Sequence, residues 1–179
     1  MNIRPRLEIV DSTTDAIALT NRLQFGMTIK ELMDIDNLKL VLEATKATSL
    51  GQDYNSDSVL GGNYNTSKAT VLDPPFSAIT KGYLKYKMGN TIFFAGQKQL
   101  NLDNQRFIGS VNWRQMPQSF GVLGAKYIIS DNIKVKGAVL YRRDGVIPEN
   151  NKKYKRGSVI LHGSYKKSKS YKFFTLNNE

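Results

Sequence analysis

The sequence predicts an all-β protein, an antiparallel transmembrane β-barrel, and three observations indicate this fold class. Apolar and polar residues alternate along stretches long enough to cross a bilayer, which takes about 9–11 tilted residues. Tight links alternate with long polar segments at 49–79, 101–119 and 142–157, as in barrels with short turns on one side and long loops on the other. No apolar run reaches the roughly 18 residues of a membrane helix.

The stretch from Ala16 to Lys30 shows the alternation most clearly. Its apolar side chains share one parity, with Asn21 as the exception, and the polar or small ones share the other: Ile17, Leu19, Leu23, Phe25, Met27 and Ile29 against Ala18, Thr20, Arg22, Gln24, Gly26, Thr28 and Lys30. Because successive strand side chains point to opposite faces, this strand has one apolar and one polar face. The apolar spacing of a helix, three and four residues, is absent.

The other strands follow the same pattern along the chain. They are predicted at Arg4 to Asp11, Leu38 to Thr48, Lys81 to Met88, between Asn90 and Asn101, at Phe120 to Ile129, Ile133 to Arg143 and Ser158 to Tyr165, and one more begins at Tyr171 to Leu176. This gives roughly eight or nine transmembrane β segments. A soluble antiparallel sheet also alternates. The Lys, Arg, Gln and Thr of the polar faces, together with the uneven loops, favour the membrane barrel.

The chain length of 179 residues predicts one domain, 1–179. No positively charged and apolar leader stands between Met1 and the first strand. The sequence ends at Glu179, just after a predicted strand begins, and an odd number of strands does not close an ordinary bacterial barrel. We therefore expect the N-terminal part of a larger barrel, without its signal peptide and C-terminal strands.

The formal net charge is +11, from 26 Lys and Arg against 15 Asp and Glu. Such a balance suits nucleic-acid binding, but the basic residues are spread over turns and polar faces, so no nucleic-acid partner is predicted. A cluster from Lys152 to Arg156 lies in a predicted outer loop and suits lipopolysaccharide phosphates, whereas a second, from Lys166 to Lys172, lies in a predicted inner turn. Lysines on a lumen face favour anions.

The sequence carries no enzyme signature. His162 is the only histidine and there is no cysteine, so no set of base, nucleophile and orienting group can be assembled. Asp53, Asp57 and Asp73 share one long loop, but their spacing does not match a calcium-binding loop. We predict no catalytic residue, no metal site and no cofactor.

One loop carries a long motif. Residues Asn101 to Gln115 read N-L-D-N-Q-R-F-I-G-S-V-N-W-R-Q, followed by Gln118-Ser119-Phe120. This resembles a motif of proteobacterial outer-membrane porins of the alginate-export type, close to N-L-D-N-Q-R-F-x-G-x-V-x-W-R-Q-x-x-Q-x-F. The resemblance spans most of this chain and about the first half of a family member.

The resemblance implies a monomeric barrel in the outer membrane of a Gram-negative bacterium, passing small hydrophilic or anionic solutes such as sugar acids. In such porins, inward-folded loops and lumen arginines narrow the pore. Carried over by position, Asp103, Arg106 and Arg114 are the candidates for this constriction or its support, with Asp103 paired to one of the two arginines. The alternative is that they only hold the loop. Trp113 is expected to be either an anchor of this loop or an interfacial aromatic residue, and the anchor is favoured.

The chain also departs from the family pattern. Relatives carry two arginines alternating with glutamine before the motif, whereas this chain has Gln97-Lys98-Gln99, which weakens the expected anion selection. The predicted lumen lining is Arg22, Gln24, Lys30, Lys85, Gln97, Gln99 and Lys134.

Three functions remain open from the sequence. The first is a porin with passive diffusion, whose partners are outer-membrane lipids, lipopolysaccharide and a small solute. The second is a non-transporting outer-membrane barrel for adhesion or envelope structure. The third is a soluble, basic β-sheet protein that binds anionic polymers. A requirement for detergent separates the third from the others, and conductance separates the first from the second.

Overall fold

A computed structural model describes residues 1–166 of the chain, apart from the side chain of Arg156. Its strands are β1 (Asn2–Val10), β2 (Ala16–Lys30), β3 (Leu38–Ser49), β4 (Ser77–Met88), β5 (Thr91–Lys98), β6 (Ser119–Ile128), β7 (Ile133–Asp144) and β8 (Lys152–Tyr165). Short 3-10 turns lie at Leu32–Asp34 and Pro148–Asn150. The predicted strand at Tyr171 to Leu176 and the basic cluster beyond Lys166 lie outside the described residues.

The strands form one eight-stranded antiparallel sheet in which every strand pairs with its neighbours in sequence, in the order β1 to β8. The loop between β5 and β6 reaches both edges of this sheet, because it contacts Arg4 in β1 and His162 in β8. The sheet therefore curves around that loop as a half-barrel. The predicted class, an antiparallel all-β barrel sheet, is confirmed. Within residues 1–166, no helix is long and apolar enough to cross a membrane.

The connections differ at the two ends of the sheet. At one end they are 31–37, 89–90 and 129–132, and at the other they include the long segments 50–76 and 99–118. The tight turn between β4 and β5 is made by Gly89 and Asn90, and Gly89 has a φ of 53°. This left-handed conformation favours glycine, which has no Cβ to clash.

The last long connection is shorter than the predicted loop. The sequence predicts a loop at 142–157, but β7 continues to Asp144 and β8 begins at Lys152, which leaves 145–151 as the connection. The register shifts between Leu140 and Arg142, and the ladder then resumes with Arg142 opposite Lys153. Backbone hydrogen bonds do not require apolar side chains. The polar residues at 142–144 and 152–155 can therefore extend the β7–β8 hairpin. The residues Lys152 to Lys155 therefore begin a strand instead of lying in a loop.

The convex face of the half-barrel is apolar on all eight strands. On β2 its side chains are 37–61% exposed for Leu23, Phe25, Met27 and Ile29. The same face carries large exposed apolar side chains on the other strands, such as Leu7, Leu42, Leu84, Phe93, Leu123, Val139 and Leu161.

The concave face is largely covered, and it is polar on β2 to β4 but partly apolar on β5 to β7. On β2 its residues Thr20 and Arg22 are buried, as are Thr45 on β3 and Thr80 on β4. Two small apolar clusters secure the long loops and strands on this side, one around Tyr54 and Val71, the other around Phe94 and Val122. The usual arrangement of a soluble protein, apolar inside and polar outside, is inverted.

Candidate functional site

The long loops fold into the concave side of the half-barrel and make a connected polar network there. Segment 50–76, between β3 and β4, and segment 99–118, between β5 and β6, meet over the polar face of β1 and β2. The network, here called the loop clasp, consists of Arg4, Arg6, Glu8, Thr20, Asp73, Arg114 and Gln115.

Asp73 joins the two loops at the centre of the clasp. It is 1% exposed, and its Oδ1 accepts a 2.7 Å hydrogen bond from the backbone N–H of Gln115. Its Oδ2 forms an ion pair with Arg6 and lies 3.9 Å from Arg114 Nη1. Burial raises the pKa of Asp73, whereas the Gln115 N–H and both guanidinium groups act against that rise. Two hydrogen-bond donors, the Gln115 N–H and the Arg6 guanidinium, and the nearby Arg114 cation thus stabilise the charge in the interior.

Tyr54 secures segment 50–76 from below. Its side chain is fully buried, and its hydroxyl donates a 2.8 Å hydrogen bond to the carbonyl oxygen of Asp73. Burial raises the pKa of the Tyr54 hydroxyl, so this group stays a neutral donor.

Arg4 fixes the end of segment 99–118. Its Nη1 donates to the carbonyl of Asn112 at 2.7 Å, and its Nη2 donates to the carbonyls of Trp113, at 3.2 Å, and Arg114. The buried amide of Gln115 donates to Thr20 Oγ1 at 2.8 Å and accepts from Arg4. One guanidinium thereby organises three consecutive carbonyls, which determines the path of the loop over β1 and β2.

The three predicted constriction residues occupy different places. Arg114 belongs to the clasp, with its Nη1 3.2 Å from Glu8 Oε2. Asp103 lies at the other end of the loop, with Oδ1 2.8 Å from His162 Nε2 on β8. Arg106 is exposed and its guanidinium lies 6.0 Å from the ring centroid of Phe107. The expected pairing of Asp103 with an arginine is replaced by its contact with His162.

Trp113 does not anchor the loop, contrary to the expectation, because its side chain is 59% exposed. The anchoring side chains are Gln115 and Met116, which are 0% and 1% exposed. Trp113 contributes only its backbone carbonyl, which accepts from Arg4.

Several of the predicted lumen-lining residues lie on the concave side. Arg22 stands opposite Arg4, and its Nε is buried with no hydrogen-bond partner among the described residues. Gln24 donates to Thr45 Oγ1 at 3.1 Å. The lysines of this set continue the polar parity of their strands, with these cross-strand partners: Lys30 with Lys39, Lys85 with Phe94, and Lys134 with Ser164.

The two glutamines before the motif are held by polar partners. Gln97 donates to the carbonyl of Ile79 and accepts from Arg142 Nη2, both at 2.7 Å. In the strand register it stands opposite Gly82, on the parity of the convex face. Gln99 donates to Glu43 Oε1 at 3.1 Å on the concave side.

Sequence reasoning missed most of the clasp. Arg4, Arg6 and Glu8 alternate along β1 on its polar parity, and that alternation is a signal that marks them as concave-face residues. Nothing in the sequence pairs Asp73 with Gln115, since they come from different loops. Among residues 1–166, no group of three acidic or histidine side chains is arranged to hold a metal ion.

Comparisons with known proteins give one similar structure. No family model matches the chain, and no curated protein matches it. The crystal structure of Pseudomonas aeruginosa OccD3 (OpdP) is similar over 79% of this chain and 28% of that chain, with 14% sequence identity and a TM-score of 0.48. The chain thus spans less than a third of the length of that solved structure. The alginate-export resemblance stays a prediction.

Proposed function

We propose that this chain forms part of an outer-membrane porin, a passive pore for small hydrophilic solutes in a Gram-negative bacterium. The inverted half-barrel is the observation that carries this proposal. Large apolar side chains are exposed on the convex face of every described strand, while buried polar residues such as Thr20, Arg22 and Thr45 lie on the concave side. Exposure of such a face to water is unfavourable, and soluble monomers rarely expose contiguous apolar patches of more than a few hundred Å². A bilayer covers it with lipid tails.

An aromatic belt supports the same orientation. Near the end of the sheet with the short connections, the convex face carries Tyr86, Phe93, Tyr127 and Tyr165, which are 37–70% exposed. Tyr86 stands directly opposite Phe93, and Tyr127 stands opposite Thr91, two residues away along β5. Aromatic residues gather where a barrel leaves the lipid core. This belt marks one membrane interface, and the long loops extend towards the other.

The inner charge supports a preference for anions. The concave parity carries lysines on β3, β4, β6 and β7, including Lys39, Lys85, Lys126 and Lys136. Positive side chains along a hydrated path attract anions and repel cations. We extend the proposal to small anionic solutes and, on the motif from Asn101 to Phe120, to the alginate-export type of porin.

Single-channel conductance after refolding into planar bilayers tests the proposal. We expect discrete current steps that grow with salt concentration. Absence of steps from protein that has inserted into bilayers as a closed barrel, as judged by protection of its strands from protease, would contradict the pore, whereas absence of steps with aggregation outside detergent would mean that this chain does not close a pore alone.

Arg106 and Arg114 give the sharper test of the constriction. We expect Arg106→Gln and Arg114→Gln each to lower the chloride-to-potassium permeability ratio, because each removes a cation from the inserted loop. Lys30→Gln is the matched control, since Lys30 lies on the same face at the far end of β2. Permeability ratios that match the control would remove both arginines from the constriction.

A second candidate is a non-transporting outer-membrane barrel for adhesion or envelope structure. The inward-folded loops favour this candidate, because buried side chains such as Gln115 and Met116 fill part of the concave side. A plugged barrel inserts into bilayers, protects its strands from protease and conducts no current. The third candidate, a soluble polymer-binding sheet, conflicts with the exposed convex face. We propose outer-membrane lipids and lipopolysaccharide as the surrounding partners, and a monomer as the working unit.

A further inference from the structure

A second region of interest, separate from the loop clasp, lies on the concave face of β4 to β7, where lysines stand among apolar side chains. A cavity of about 310 Å³ opens there beneath residues 99–102, the beginning of the loop after β5. Four lysines line it, and no carboxylate is among the described lining residues: Lys85, Lys98, Lys126 and Lys136. Its volume is at the lower end of the range for small-molecule sites.

Two of these lysines are cross-strand neighbours on the same face of the sheet. Lys126 on β6 is directly opposite Lys136 on β7. Like charges at directly opposed positions destabilise an antiparallel pair. Among the described residues, neither ammonium group has a carboxylate within 4.0 Å. The sheet therefore places two cations side by side and leaves their repulsion uncompensated.

The carboxylate found in the row of this pair is Asp103, and it is held by a histidine. Across β7, Lys136 faces His162 of β8, whose Nε2 is bound to Asp103. Across β6, Lys126 faces Ile92 of β5. The nearest acidic side chain in this row is thus already engaged with the histidine.

The wall of the cavity combines cations with aromatic rings. Lys98 Nζ lies 4.3 Å from the ring centroid of Tyr83 and 6.0 Å from that of Phe94. These contacts hold the Lys98 ammonium over an apolar surface, where it meets less competing water than an exposed lysine. Ammonium groups are compact point charges with three donors each, which suits the oxygen atoms of a phosphate.

We propose that this cavity, here called the lysine cavity, binds a small polyvalent anion of the phosphate class, such as pyrophosphate or a phosphate monoester. A monovalent carboxylate would neutralise one of four cations, whereas a polyvalent anion bridges the Lys126–Lys136 pair and its neighbours. The proposal deepens the porin function and rests on it for the access of solute to the cavity. Binding itself does not require a conducting pore.

Calorimetric titration with inorganic pyrophosphate tests the site. The full chain is refolded in detergent micelles and titrated at fixed ionic strength, with acetate as the monovalent comparison. We expect saturable binding of pyrophosphate and none of acetate. The double variant Lys126→Gln/Lys136→Gln is expected to weaken binding by at least about tenfold, which corresponds to 1.4 kcal/mol.

The matched control is Lys30→Gln/Lys39→Gln. These lysines also stand directly opposite each other on the polar parity, but they lie on β2 and β3, outside the cavity. Both double variants change the net charge equally, so a general electrostatic effect weakens binding in both alike. Equal weakening, or binding of acetate as tight as that of pyrophosphate, would overturn the proposal.

Protection from acetylation keeps the test independent of variant folding. Pyrophosphate is expected to slow acetylation of Lys126 and Lys136 in the unaltered protein, as read by mass spectrometry, and to leave Lys30 and Lys39 unaffected. Uniform protection, or none, refutes the site. Conductance without pyrophosphate binding refutes the lysine cavity alone. Saturable binding by protein that has inserted into bilayers as a closed barrel but does not conduct refutes the pore and retains the cavity.

Discussion

Asp73 illustrates how one residue connects distant parts of the half-barrel. It comes from the loop before β4, yet its carboxylate binds Arg6 on β1 and the backbone of Gln115 in the loop before β6. A buried carboxylate is costly unless it is paired and hydrogen-bonded. Because both conditions are met only when the two loops are folded inward together, Asp73 couples the order of one loop to that of the other.

Replacing Asp73 with asparagine tests this coupling. Asp73→Asn keeps the shape but removes the charge that faces Arg6 and Arg114, so we expect the inward position of the loops to lose about 1–3 kcal/mol. Trp113 is the only tryptophan and lies in the affected loop. Its fluorescence during urea titration in micelles therefore reports the change directly. Asp57→Asn serves as the control, because Asp57 is exposed and lies in segment 50–76 together with Asp73. An equal shift of the unfolding midpoint in both variants would refute the coupling.

Glu149 gives a pH-dependent contact between two outer segments. Its carboxylate accepts from Leu60 N–H at 2.8 Å and from Ser58 Oγ at 2.9 Å. Burial acts to raise the pKa of Glu149, but these hydrogen bonds outweigh it and bring the pKa below its ordinary value of 4.5. The contact therefore contributes its full stability above that value and loses it as the pH falls through the lower, folded pKa.

The amide resonance of Leu60 reports this titration. We expect its NMR shift to change with a midpoint below pH 4.5 and the change to disappear in Glu149→Gln. A midpoint above that value, or a shift that persists in the variant, would show that the carboxylate does not hold the segment.

At the scale of elements, the approach of β6 to its neighbours depends on its glycines, Gly121 and Gly124. A Cβ at Gly124 would lie 2.5 Å from the carbonyl oxygen of Gly137 and 2.9 Å from the ring of Phe94, whereas a Cβ at Gly137 would meet nothing within 4 Å. We expect Gly124→Ala to lower the free energy of unfolding by about 1–3 kcal/mol through overpacking. Gly137→Ala, one register position away on the paired strand, is expected to change it by less than about 1 kcal/mol.

Urea unfolding in micelles measures both glycine variants under one set of conditions. The informative quantity is the difference between the two midpoints, because both substitutions add the same methyl group. Equal midpoints would show that β6 can move away from its neighbours at little cost.

The sequence predicts the strands well because alternation is local. β2 has the predicted bounds, because the alternation of apolar and polar residues from Ala16 to Lys30 indicates the face on which each side chain lies. The loop clasp is different, because Arg4 reaches the carbonyls of residues 112–114 from more than a hundred positions away. Those acceptors are backbone atoms, and their positions depend on turn geometry that residue types do not specify. Side-chain size alone favours Trp113 as the anchor of this loop, whereas the buried Gln115 has that role in the structure.

At the scale of the whole molecule, an added positive charge should destabilise the protein on the convex face of the half-barrel but not on the concave face. We expect Leu123→Arg, on the convex face of β6, to destabilise the protein in lipid vesicles by about 2–4 kcal/mol if it lies near the bilayer centre. Thr28→Arg, exposed on the concave parity of β2, should leave stability nearly unchanged. Unfolding of both variants from vesicles measures the difference. Equal stabilities would mean that lipid does not cover the convex face.

The order of the strands also has a consequence for how such a protein changes in evolution. Each described strand pairs only with its neighbours in sequence, so within residues 1–166 no strand forms its ladder hydrogen bonds with a strand encoded far away. A single hairpin is therefore a unit of inheritance. Duplication or loss of one contiguous stretch of the gene adds or removes two adjacent strands without changing how the other strands pair. The circumference of the barrel can thus change in steps of two strands, while the residues that line it diversify independently.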